Sequence, residues 1–350
     1  MGQFVNWDVA AATAGLLGRT GPAVTREEAA DVVAELRRLA DEAAGHVAAF
    51  TGLTAAVDHP PVRVVDRRAW ARANVEGLRT VVTPLITRLT RDRTPGPVAA
   101  GVGGRVTGVQ TGTVLAYLSG RVLGQYEVFA TDPGQLLLVA PNVLEAERRI
   151  EAHPRDFRLW VCLHEVTHRT QFTAVPWLRA HFLDEVGRFV EASADPGELW
   201  ERLRQGLSGM VHAVRGGAGR GSLLDVVVTP AQQVVLDRIT ALMTLLEGHA
   251  EYVMDEVGPE VIPSVTSIRE RFNARRAGGG PVERLLRRLL GIDTKLRQYA
   301  EGRRFVHEVV GLVGMAGLNR AFGSPAALPH LDELGEPSRW VARVAGAGVA

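Results

Sequence analysis

The chain has 350 residues, 46% of them hydrophobic, enough for a sizeable core in one large domain or two ordinary ones. Its 40 basic and 39 acidic residues leave a net charge of +1, and aromatics make up only 6%; this balance argues against a nucleic-acid or anionic-membrane partner. Cys162 is the only cysteine, which excludes an intramolecular disulfide and a Cys-rich metal site.

The N-terminus, MGQFVNWDVAAATAGLLGRTGP, lacks the basic and long apolar regions of a secretory signal. No apolar run reaches the roughly 18–20 residues of a membrane helix. A soluble, cytoplasmic protein is the expectation. Residues 25–50 predict an amphipathic helix, with Thr25 as N-cap, Glu28 three positions on, and Val32, Val33, Leu36 and Leu39 at helical spacing. A second helical stretch runs from Arg67 to Thr90, between Pro60-Pro61 and the Pro95-Gly96-Pro97 break.

Small residues then recur every four positions: Gly104, Gly108, Gly112, Ala116, Gly120 and Gly124. Glycine weakens a helix by about 1 kcal/mol per residue, so the period predicts a buried helix with one face against another backbone. Arg105 and Arg121 stand too close together for a membrane span. Tyr126–Ala130, the turn Thr131-Asp132-Pro133-Gly134 and Gln135–Ala140 predict a β-hairpin.

Residues 206–224 and 277–281 are Gly-rich and read as loops. Thr229-Pro230 opens a long apolar helix through Val234, Val235, Ile239, Leu242, Met243 and Leu246 to Val257, with Gly258 closing it. Pro281 to Gly314 is helical again, with a break at Gly291-Ile292-Asp293, and the tail from Pro325 is Pro-, Gly- and Ala-rich.

The chemistry concentrates in one segment, DFRLWVCLHEVTHRTQF from Asp156 to Phe172, which predicts a helix with Pro154 in its first turn. His164 and His168, four residues apart, project from one face and can share one metal ion. Glu165 lies about 100° round the axis from His164. It is displaced from the ligand direction and placed to hydrogen-bond a water instead. Cys162 falls on the far side and is expected in the core.

A hydrolytic zinc site needs three protein ligands and one open position. Glu247, in the middle of the apolar helix after Thr229, needs a partner for its charge, and a metal would supply one. Gly248 removes a side chain where that helix would approach the histidine helix. Glu251, one turn on, suits orienting a ligand histidine, and both Glu251 and His249 stay open as alternative third ligands. A salt bridge to an arginine is the competing fate of Glu247. Tyr252, His249, Lys295, Arg297 and Tyr299 are candidates to stabilise an oxyanion. Lys295 and Tyr299 are i,i+4 neighbours on a predicted helix, where surface positions explain them equally well.

His164-Glu165-Val166-Thr167-His168 followed by Glu247-Gly248-His249-Ala250-Glu251-Tyr252 resembles the gluzincin branch of zincin metallopeptidases. More narrowly, Ala140-Pro141-Asn142, LWVCLHEVTHRTQF, Val175-Pro176-Trp177-Leu178, LLEGHAEYVMD and KLRQYAEG resemble a bacterial zincin-like family labelled as zinc metalloproteases or as associated with deazaflavin-coenzyme biosynthesis. The resemblance implies an α+β, mostly helical fold: a zincin-like core with a small β-sheet beside the HExxH helix and extra helices at both ends. It implies one domain over residues 1–350: a helical part (1–97), a metal-site core (98–257) with an insertion near 206–224, and a helical part (258–350).

The expected function is a Zn²⁺-dependent hydrolase, first of all a peptidase, in which Glu165 activates water. The alternatives are a zinc-binding accessory protein without peptidase activity and a small-molecule amidohydrolase in cofactor metabolism. The expected partner is a peptide or small amide, with no nucleic acid and no membrane. The sequence leaves the oligomeric state open. From His168 to Glu247 is a long separation for gluzincins, for which the Gly-rich insertion partly accounts.

Overall fold

The Asn6 side chain accepts the Val9 N–H at 3.0 Å and opens α1 (Trp7–Leu17). The fold is that of a computed structural model describing residues 5–55, 61–89, 97–192, 229–277 and 292–345. Contacts divide the chain into two compact units, Met1–Gly45 with Asp58–Arg169 and His46–Val57 with Thr170–Ala350. Among the described residues helices predominate, with one small three-stranded sheet in the first unit, the expected α+β class.

In the first unit, α1 is followed by α2 (Arg26–Thr51), whose predicted cap is in place: Thr25 Oγ1 accepts the Glu28 N–H at 3.1 Å. Next come β1 (Arg63–Val65), α3 (Arg67–Leu89), α4 (Pro97–Ser119), β2 (Gly124–Glu127), β3 (Gln135–Val139), α5 (Ala140–Arg149) and α6 (Pro154–Ala174). The glycine period has the physical cause expected of it. A Cβ on Gly108 would stand 2.5 Å from the Asn6 carbonyl oxygen, and one on Gly112 2.4 Å from that of Ala10. The close backbone is therefore α1. The helix stops at Ser119, so the last members of the period lie outside it, and Gly124 belongs to β2.

The sheet has the order β1-β3-β2, with β1 parallel and β2 antiparallel to a wholly buried β3. The hairpin forms, but its first strand starts earlier than predicted and ends at Glu127. There the buried Glu127 carboxylate accepts the N–H groups of Phe129 (2.7 Å) and Ala130 (3.1 Å), which turns the chain out of the strand. Leu137 and Val139 pack with Trp70 and Val75 of α3, Leu115 of α4 and Ala10 and Ala14 of α1. At the start of α3, buried Arg67 ties the N-terminal segment to α5 through the Thr20 carbonyl, Asn142 and Glu145. Burial pushes the Glu145 carboxyl upward, but Arg67 outweighs it and holds the group below its ordinary range.

The second unit takes in α7 (Leu178–Glu191), α8 (Pro230–Val261), α9 (Val265–Ala277), α10 (Ile292–Leu318) and the short α11 (Pro337–Trp340). Thr229 and Gln232 cap α8 reciprocally, at 3.2 and 3.0 Å. Gly258 does not end this helix, which continues to Val261. A Cβ on Gly258 would stand 2.9 Å from Val265 Cγ2, so the glycine makes room for α9.

Gly248 also lies against a different partner from the one expected: a Cβ there would meet the Gly302 backbone of α10. The tail from Pro325, which gave no regular signal, is well packed. Trp340 is fully buried, edge-on to Phe305, and its indole donates to the Ala327 carbonyl at 2.9 Å. Among the described residues, no helix is long and apolar enough to cross a membrane. Residues 206–224 and 281–291 lie outside the described ones, as do the side chains of Lys295, Arg297 and Tyr299.

Candidate metal centre

Helix α6 is amphipathic around its functional face. Phe157, Leu159, Val161, Cys162, Leu163 and Val166 are buried, whereas His164 and His168 are half-buried. The Cys162 thiol faces the Leu36 carbonyl oxygen at 3.8 Å, and burial, aided by the Glu165 charge, pushes its pKa up. It is a core residue, as its position on the helix predicts.

The two imidazoles stand perpendicular, their centroids 4.8 Å apart and their Nε2 atoms separated by 3.2 Å. Two nitrogens at 2.0–2.1 Å on a tetrahedral zinc ion lie about 3.3 Å apart. The pair therefore has the spacing of ligands to one ion. His164, His168 and Glu247 each offer one ligand atom, and these atoms all lie within 4.8 Å of one another. Two imidazoles and one carboxylate form a donor set suited to zinc, so the residues fit the ion that the sequence implies.

Glu165 is only 8% exposed, and its side chain lies against β2. A Cβ on Gly124 would stand 2.6 Å from both Cγ and Cδ of Glu165. Two residues along the strand, Tyr126 acts electrostatically on Arg169, four residues along the helix. Arg169 is buried, and desolvation lowers its pKa despite the opposing charge of Asp41.

The ladder also fixes which groups of β2 face outward. Val139 N–H donates to the Leu123 carbonyl at 2.8 Å, so in this antiparallel register Gln125 and Glu127 also address β3. Gly124 and Tyr126 consequently turn their N–H and C=O groups away from β3, toward the sheet edge.

Gln171 was not singled out in the sequence, although it follows His168 by three positions on the same helix. Its amide Nε2 donates to the Leu246 carbonyl at 2.9 Å and meets His249 Nδ1 at 3.0 Å. His249 is fully buried, with its ring 5.6 Å from that of Phe322, and it stands outside the ligand group. Glu251 is half-buried and also outside that group. Tyr252 packs against Phe50 and His307, each 6.1 Å away, and lines a cavity of about 500 Å³ with Asp255, Arg269 and Arg303. Gly124, the other residue missed, carried a signal: a glycine inside a strand marks a close approach.

A model of the zincin-like metallopeptidase family matches residues 5–341. The chain belongs to this family. A crystal structure from Chloroflexus aurantiacus, described as a candidate hydrolase with a novel fold, superposes with a TM-score of 0.69 at 28% identity. The match covers 97% of this chain and 98% of that one. No curated protein matches the chain.

Proposed function

We propose that this zincin-like protein is a zinc-dependent hydrolase acting on peptide or closely related amide bonds. The observation that carries the reading is the convergence of one ligand atom each from His164, His168 and Glu247 within 4.8 Å. The relative from Chloroflexus aurantiacus, described as a candidate hydrolase, adds support.

His164, His168 and Glu247 would hold the ion, three protein ligands leaving one position open. Zinc bound there supplies Lewis acidity, which brings the pKa of a coordinated water to about 7. Glu165, turned about 100° from His164 on the helix, accepts the proton of the attacking water and returns it to the leaving nitrogen. The outer edge of the hairpin strand β2 takes an extended substrate as an added strand. Glu251 would act on the ligand set indirectly, as a hydrogen-bond acceptor for a histidine.

The test combines metal analysis with a Glu165→Gln variant assayed on a peptide library. The wild type is expected to carry stoichiometric zinc. The variant is expected to keep the metal and lose hydrolysis by about 10²–10⁴-fold, the usual contribution of a general base. A metal-free wild type overturns the reading, and so does a substrate cleaved equally by both proteins.

A further inference from the structure

Glycine costs stability inside a strand unless the backbone needs its freedom or the space of a side chain is already taken. Gly124 has no need of that freedom. Its backbone lies outside the positive-φ region, unlike Gly134 with φ +111° at the end of the same hairpin loop. What fills the missing volume is Glu165, whose Cγ and Cδ would both stand 2.6 Å from a Cβ at this position, and whose Oε1 would stand 3.0 Å away.

We infer that Gly124 is the positioning residue for Glu165: the absence of its side chain lets the carboxylate lie directly against β2, beside the histidine pair. The inference rests on the reading of Glu165 as the water-activating base. Its neighbours make the contact specific. Gln125 is held on the other side by a reciprocal amide pair with Asn74 of α3, at 3.0 and 3.1 Å. The Tyr126 hydroxyl donates to the Pro133 carbonyl at 2.8 Å. The strand is thus tied down after Gly124 at Gln125 and Tyr126, and before it at Leu123, whose carbonyl accepts the Val139 N–H at 2.8 Å, whereas Glu165 reaches the strand through a side chain with rotatable bonds. A methyl group at 124 therefore displaces Glu165 from its rotamer before it moves the sheet.

The experiment is a double-variant cycle, Gly124→Ala and Glu165→Ala singly and together, read by thermal unfolding and by the visible spectrum of the cobalt(II)-loaded protein. Gly124→Ala is expected to lower the melting temperature in the wild-type background and to leave it unchanged or raise it when Glu165 is already Ala. Loaded with cobalt, Gly124→Ala should retain the metal and show a spectrum shifted in the same sense as Glu165→Ala. A role in strand packing alone would leave that spectrum as in the wild type. Equal loss of melting temperature in both backgrounds overturns the inference, as does a wild-type cobalt spectrum in Gly124→Ala. If the wild-type protein takes up no cobalt, the zinc reading falls, and the melting-temperature cycle alone decides whether Gly124 makes room for Glu165.

Discussion

Gly248 and Gly302 meet backbone to backbone: a Cβ on Gly248 would stand 2.2 Å from the Gly302 carbonyl carbon, and one on Gly302 2.2 Å from the Thr244 carbonyl oxygen. The atoms nearest a Cβ on Gly248 are all backbone, so added volume there has to part α8 from α10. Overpacking of this kind typically costs about 1–3 kcal/mol, and Gly248→Ala is expected at the upper end of that range. The midpoint of urea unfolding measures it. Because Glu247 is the adjacent residue, the same variant should also bind zinc more weakly, as read by competition with a chelator.

Metal linkage supplies a second expectation. A ligand that binds only the folded state stabilises by about 2.7 kcal/mol at a hundred times its Kd. Zinc should therefore raise the melting temperature of the chelator-treated protein. The rise should vanish in His164→Ala, His168→Ala and Glu247→Ala and persist in Glu165→Gln. Differential scanning fluorimetry with and without zinc separates the two groups.

Gln171 joins the end of α6 to α8 through the Leu246 carbonyl and His249 Nδ1. Gln171→Leu keeps the approximate size of the side chain but removes both bonds from a buried setting. A loss of about 1–3 kcal/mol is expected. Denaturant titration tests it, with Gln171→Glu as a comparison that retains the acceptor atoms and adds a buried charge.

His181 predicts a pH dependence. Burial lowers its pKa below the ordinary 6.5, and the nearby Glu185 charge offsets this only in part. The unfolded chain therefore binds this proton more readily than the folded one. The contribution of His181 to stability is complete above about pH 6.5 and is lost as the pH falls through the lower folded-state value. Unfolding midpoints between pH 5 and 7.5 should fall less steeply with acidification in His181→Gln than in the wild type.

What the sequence made legible was local. The i,i+4 spacing of His164 and His168 fixes their shared face by helix geometry alone, and Thr25 and Thr229 mark helix starts through bonds to residues three positions on. What stayed hidden depends on partners distant in sequence. His249 and Glu247 sit on one helix with metal-ligating side chains, and only the fold distinguishes a ring held by Gln171 and Phe322 from a carboxylate grouped with two histidines. Gly124 completes a four-residue period and so reads as helical, although its neighbours across the sheet make it a strand residue. The short β1 has three residues, too few for a periodic signal, and α5 follows β3 without a loop, which blurred their boundary at Ala140. The C-terminal segment lacks a continuous apolar face because it buries isolated anchors, Leu334 and Trp340.

The buried Cys162 has a practical consequence. A thiol reagent is attacked by the thiolate, and here the single native thiol is enclosed, with its pKa pushed up by burial. The natural chain therefore behaves toward such reagents as though it had no cysteine. A lone cysteine introduced on the exposed side of any helix becomes a unique attachment point, so fluorophores or spin labels can report on metal uptake without first rebuilding the core around α6.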